Sequence, residues 1–317
     1  MKLRAAFGIG VIALLVGGCV GLEWKERELL FRPVREAAGW FSGMPDTVQE
    51  MYLPVGANAE RIHAWWWPAD DPQAPVVYYL HGVRWNLTGN LNRISQLRRF
   101  GFSVFAIDYR GFGKSDGDLP SEASVYEDAR AGWQWVVRQE PDAARRYIYG
   151  HSLGGAVAVD LAVNSTAGAG ARGLIVESSF TSLAEMASEL SSGWLPVGPL
   201  LSQKFDSLDK IGQVKMPVLI VHGGADRYVP ARLSEALYAA APEPKKLLVV
   251  ENGSHNNSIW VGDAEYRRAL VEIFGPIEAS SRNATERPQI LQPARAGARV
   301  NRPPGIGVST RQAEKIE

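Results

Sequence analysis

Between residues 51 and 274 the chain alternates short apolar runs with segments whose apolar residues recur every three or four positions. The runs at 76–80, 103–107, 147–149, 173–177, 218–222 and 246–250 are brief and almost unbroken by polar residues. That pattern predicts strands covered on both faces. An earlier strand is expected at 61–67, with the stretch near 47–67 folding as a hairpin that adds antiparallel strands at one edge. Helical spacing runs over 91–100, 125–139, 153–164, 231–240 and 265–274. Strands alternating with helices predict an α/β fold, a mostly parallel sheet with helices on both faces. In such sheets ligands sit beyond the carboxyl ends of the strands, so the residues just after each strand carry the candidate chemistry.

Both ends of the chain differ from this middle. Residues 1–18 start with Lys2 and Arg4 and continue through an uncharged apolar run from Ala5 to Val16. This has the layout of a secretory signal and is too short to span a bilayer comfortably. The run ends in "VGGC", and small residues directly before Cys19 resemble the lipobox of bacterial lipoproteins. The resemblance implies cleavage before Cys19, acylation of its thiol and new amino group, and a membrane anchor in the cell envelope. Val20 in place of Asp after the cysteine favours the outer membrane of a Gram-negative cell. Cys19 is the one cysteine of the chain, so no internal disulfide can form. Residues 19–44 are expected to be a linker and a helix. Residues 278–317 are rich in Pro, Arg, Ala, Gly and Ser without apolar periodicity, which predicts a disordered tail. The domain proper is therefore expected at 45–277. Lys plus Arg and Asp plus Glu number 34 each, for a net charge of zero, which argues against a nucleic-acid binder.

The segments after the strands read "HGVRWN", "DYRGFGKSDG", "GHSLGG", "GGADRYVP" and "ENGSHNN". The sequence "GHSLG", Gly150 to Gly154, lies between a predicted strand and a predicted helix. There it resembles the nucleophile elbow of the α/β-hydrolase superfamily, a similarity that extends over residues 45–274. Gly150 and Gly154 remove side chains that would collide in so tight a reversal. Ser152 is left exposed at the start of helix 153–164. A serine hydroxyl needs a base. His255, in "NGSHNN", matches the family position for one. His63, His81 and His222 read as structural, and His151 is expected to point away from the nucleophile. Asp226, in "HGGADRYVP", matches the family acid that orients the base. Glu177 competes for that role, because some branches place the acid after the preceding strand. The resemblance assigns two oxyanion donors, the backbone N–H groups of Val83 and Leu153. Asp108, Arg110 and Gly111 are read as a structural turn.

These residues imply acyl transfer through an acyl-enzyme, with no metal or organic cofactor. A serine in the nucleophile position excludes dehalogenase chemistry. A lid is expected at about 178–216, with Trp194, Leu195, Leu200 and Leu201 facing either an acyl chain or the lid's own packing. The short insertion resembles a single-domain branch that includes acyl-protein thioesterases and prolyl-oligopeptidase-like hydrolases. The expected substrate is accordingly a small or lipid-like carboxylic ester or thioester. A peptidase of the same fold and a non-catalytic envelope scaffold are the alternatives. Trp65 and Trp67 share one face of their strand and are read as packing.

Overall fold

The computed structural model describes residues 21–164, 170–190 and 198–277. The expectations for the signal segment, Cys19, Trp194, Leu195 and the tail at 278–317 lie outside the described residues.

Eight strands form one sheet: β1 (Gln49–Val55), β2 (Glu60–Trp67), β3 (Val76–Leu80), β4 (Ser103–Ile107), β5 (Arg146–His151), β6 (Gly173–Glu177), β7 (Val218–Gly223) and β8 (Lys245–Val250). Their order across the sheet is β1-β2-β4-β3-β5-β6-β7-β8. Strand β2 pairs antiparallel with both β1 and β4, and all other pairs are parallel. The edge hairpin is thus where the sequence pattern places it.

A first helix, α1, covers described residues 21–31. It is followed by α2 (Leu87–Arg99), α3 (Glu122–Gln139), α4 (Leu153–Asn164), α5 (Leu183–Leu190), α6 (Ser207–Ile211), α7 (Ala231–Ala240), α8 (Ser258–Val261) and α9 (Asp263–Phe274). Alternate residues of the central strands feed two cores. On one face Tyr78, Ile148, Val176 and Ile220 meet Trp133 of α3, Val157 and Leu161 of α4, and Leu233 of α7. On the other, Val77, Tyr149, Ile175 and Leu219 meet Leu97 of α2 and Tyr266 and Leu270 of α9. Trp65 and Trp67 are buried in this second core.

The chain leaves β3 for β4 on one side and later returns to β5 on the other. Neighbouring connections therefore depart in opposite directions above β3 and β5, and a crevice opens at their carboxyl ends. Leu80 pairs with Gly150 there, so the loop after β3 faces the turn after β5.

The segment expected as a linker and helix is part of the folded body. Phe31 is fully buried and Ala38 nearly so. Phe31 packs edge-on against Phe205, with ring centroids 6.1 Å apart. A sequence pattern shows that α1 is amphipathic, but not that its partner lies about 170 residues away.

Candidate active site

Strand β5 ends at His151 and α4 begins at Leu153, so Ser152 alone reverses the chain. Its φ is 57°, a left-handed conformation costing a residue with a Cβ about 1–2 kcal/mol. Three hydrogen bonds hold it. Ser152 N donates to Glu177 O (2.9 Å), while Gly155 N and Ser179 Oγ donate to Ser152 O (2.9 and 2.8 Å). A Cβ on Gly150 would overlap the carbonyl of Gly154, and one on Gly154 would overlap those of Leu80 and His81. The two glycines let α4 settle onto β3 and β5. Gly82 matters too: a Cβ there would sit 3.0 Å from Ser152 Cβ.

Asp226 lies in the loop after β7 with its side chain fully buried. Its Oδ1 accepts from Tyr228 N (2.8 Å) and Val229 N (3.0 Å), and its Oδ2 lies 2.7 Å from His255 Nδ1. Burial acts to raise its pKa. The hydrogen bond and charge of His255, with the Val229 and Tyr228 amides, outweigh burial and hold the carboxyl below the ordinary value. An ionised Asp226 accepts a hydrogen bond from His255 Nδ1–H, which keeps the proton on Nδ1 and leaves Nε2 as the acceptor. His222, also buried, hydrogen-bonds Val229 O (3.0 Å) and Ser234 Oγ (2.8 Å), bracing the same turn.

Ser152 and His255 both line a cavity of about 800 Å³, together with Val83 and Leu153. Among the described residues no hydrogen bond joins the Ser152 hydroxyl to His255, and that contact often tightens only when substrate binds. The amides of Val83 and Leu153 donate to no protein acceptor among the described residues. Both remain available to a ligand. Among the same residues no cluster of three or more His, Cys, Asp or Glu is arranged to hold a metal.

The serine aminopeptidase S33 family profile matches residues 71–208. Rv2307c, an uncharacterized protein of Mycobacterium tuberculosis, is 35% identical over 266 residues, spanning 81% of this chain and 90% of that one. The lysophosphatidylserine lipase ABHD12 of Danio rerio is 31% identical over 198 residues, or 58% of this chain and 51% of that protein. In fold the chain is similar to the Pyrococcus furiosus esterase Pf2001, with a TM-score of 0.61 at 19% identity over 78% of this chain and 99% of that one. The chain belongs to the α/β-hydrolase superfamily.

In this α/β hydrolase Glu177, the competing acid, makes no bond to His255. It is fully buried and receives Arg93 Nη1, Tyr149 Oη and, at 2.9 Å, Tyr266 Oη. Arg93 in turn donates Nη2 to Asn256 O at 2.9 Å. Burial acts against the guanidinium charge, but Glu177 outweighs it and raises the Arg93 pKa. His151 makes no hydrogen bond to the Ser152 side chain among the described residues; it lies against His255, with ring centroids 4.9 Å apart, and its Nε2 donates to His255 O at 2.8 Å. Burial first, then the charges of Arg93 and His255, hold the His151 pKa well below the ordinary value, so the ring is neutral. The loop carrying His255 is therefore gripped from α2 and from β5. Sequence reasoning missed Arg93, although a charge on the buried stripe of α2 beside Ile94 and Leu97 is a usable signal.

The remaining expected residues are structural. Asp108 caps α2 through Leu87 N (2.8 Å) and holds His63 (3.0 Å), and His81 hydrogen-bonds Gly82 O (2.6 Å). Arg110 pairs with Glu60, Glu127 and Asp128, and Gly111 takes φ 84°. Helix α1 lines the cavity with Leu22, Leu29 and Leu30, as do Leu200 and Leu201 from the segment expected as a lid. Glu26 clamps it there by accepting from Ser202 N (2.8 Å), Ser202 Oγ (2.7 Å) and Gln203 N (2.9 Å).

Proposed function

We propose that the protein is a serine hydrolase of carboxylic esters or thioesters with lipid-like acyl chains. The observation that carries this reading is a strained serine opening on an apolar cavity that it shares with an Asp226-bound imidazole and two unpaired amides. His255 Nε2 takes the Ser152 proton as Oγ attacks the acyl carbon. Leu153 N and Val83 N stabilise the oxyanion, placed by the elbow and by the loop after β3. The imidazolium, stabilised by Asp226, protonates the departing alcohol or thiol. Water then attacks the acyl-enzyme with the same base, releasing the acid and restoring Ser152.

The name of the matched family supports a second reading, an aminopeptidase. Such an enzyme needs a carboxylate to hold the free amino group of its substrate. Among the described lining residues Glu26 alone carries one, and its oxygens already accept three hydrogen bonds from the lid region. Esters are therefore favoured. The test compares full-length protein and Ser152→Ala on p-nitrophenyl esters of increasing acyl length and on aminoacyl anilides. The account expects Ser152-dependent ester hydrolysis that improves with chain length. Faster cleavage of the anilides would overturn it.

The envelope anchor is a further part of the proposal and rests on residues 1–19 of the sequence. Among the described residues no helix is long and apolar enough to cross a membrane. Cys19→Ser should move the protein from the membrane to the soluble fraction, and unchanged partitioning would refute the anchor.

A further inference from the structure

Most guanidinium groups of the described residues are tied down, as Arg93, Arg110 and Arg232 are by carboxylates. Two at the cavity mouth are not. Arg32 follows α1, and Arg84 follows the oxyanion residue Val83. Both are exposed, both line the cavity, and neither side chain makes a hydrogen bond or ion pair among the described residues. Both also stand in left-handed backbone, with φ of 45° and 75°. Glycine is the conformationally easy residue at such a position; here the chain spends that strain on two arginines. Arg84 N donates to Phe31 O (3.0 Å) and Arg84 O accepts from Val34 N (3.1 Å), which brings the two arginines to one side of the mouth. Among the described lining residues Glu26 is the one carboxylate, and it makes no ion pair with either arginine. The Glu26 carboxylate is occupied by the lid region, and Lys25 is itself paired with Glu28.

We propose that Arg32 and Arg84 form a subsite for a phosphate group carried on the alcohol portion of the acyl ester substrate. This deepens the hydrolase reading and rests on it. A phosphate presents several charged oxygens to two guanidinium forks, which suits arginine better than any neutral polar group would. The placement fits the chemistry. Arg84 directly follows Val83, whose amide is one of the two proposed oxyanion donors, and Leu29, Phe180, Leu183 and Met186 of the same cavity offer apolar surface for the acyl chain. The acyl C–O bond breaks, Ser152 Oγ bonds the acyl carbon, and the serine proton passes through His255 to the departing phosphate-bearing alcohol. Water then supplies the hydroxyl of the released acid.

The test uses the full-length protein with octanoylglycerol and octanoylglycerol phosphate, each below its micellar concentration. The phosphate ester should be preferred at least about tenfold in kcat/KM, and the preference should shrink as salt rises from about 20 mM to about 0.5 M. Arg32→Gly/Arg84→Gly removes both charges while keeping the backbone conformation free of strain. It should lose that preference mainly through KM, with neutral-ester hydrolysis changed less than about twofold. Equal rates on the two esters in the parent protein, or an equal loss on both in the variant, would overturn the subsite. Inhibition of neutral-ester hydrolysis by inorganic phosphate, without preference among esters, would mark a free-anion site and overturn the headgroup assignment. Failure of the hydrolase reading looks different: no ester at all would be cleaved in a Ser152-dependent way.

Discussion

Replacing Arg93 by methionine removes one half of the buried pair that grips the His255 loop. Arg93 is 4% and Glu177 0% exposed, so water cannot enter to solvate the carboxylate left behind. The phenols of Tyr149 and Tyr266 remain as its donors. Breaking one side of a buried ion pair costs about 3–5 kcal/mol. With a urea slope of about 3 kcal/mol/M, the midpoint followed by tryptophan fluorescence should fall by roughly 1–1.7 M. Arg93→Met/Glu177→Gln removes the stranded charge and should recover at least about half of that loss. Activity separates the two roles of the arginine. The double variant regains stability but still lacks the bond to Asn256 O, so its kcat on a neutral ester should stay low. A loss below about 1 kcal/mol for Arg93→Met, or a double variant whose loss equals the sum of the singles, would refute the reasoning.

Two further outcomes follow from packing and burial. Gly154→Ala drives a Cβ into the carbonyl oxygens of Leu80 and His81, backbone atoms that cannot swing aside. It should cost at or above the upper end of about 1–3 kcal/mol. Gly21→Ala, in exposed helix with nothing within 4 Å, serves as the control and should leave stability unchanged or raise it by up to about 1 kcal/mol; equal losses in thermal melts would contradict the elbow account. His81, His151 and His222 are held below the ordinary histidine pKa, in each case chiefly by burial. They stay neutral folded where the unfolded chain takes up protons. Stability is therefore fullest above about pH 6.5 and falls below it, by at most about 1.4 kcal/mol per histidine per pH unit. Asp128, pushed up to about 7 by burial, acts in the opposite sense and makes the net slope shallower. Urea midpoints that stay level or rise on acidification would refute this.

The sequence pattern locates some elements to the residue and others only roughly. Strands β3, β4 and β6 begin and end where the sequence pattern places them, because every residue of each is buried and the runs are short and mostly apolar. Helices α2 and α3 start earlier than periodicity implies, at Leu87 and Glu122. Their first turns carry too few apolar residues to show a period, and the true start signals are the caps Asn86 and Ser121, whose side chains accept from Thr88 N and Ser124 N. The short helices α5, α6 and α8 span too few turns to show a period. At the site, Asp226 lies against His255 and shares its loop-borne position with the expectation, since each follows a strand end. The orientation of His151, the reach of Arg93 and the wall made by α1 were not legible. Each depends on a partner more than 50 residues away, at His255, Glu177 and Ser202 respectively.

A fluorophosphonate probe, applied to folded full-length protein and mapped by peptide mass spectrometry, tests the proposed nucleophile directly. The account predicts one stoichiometric adduct on Ser152, absent in Ser152→Ala and strongly slowed in His255→Ala. Folded protein that takes up no probe, or an adduct that persists in Ser152→Ala, would contradict it.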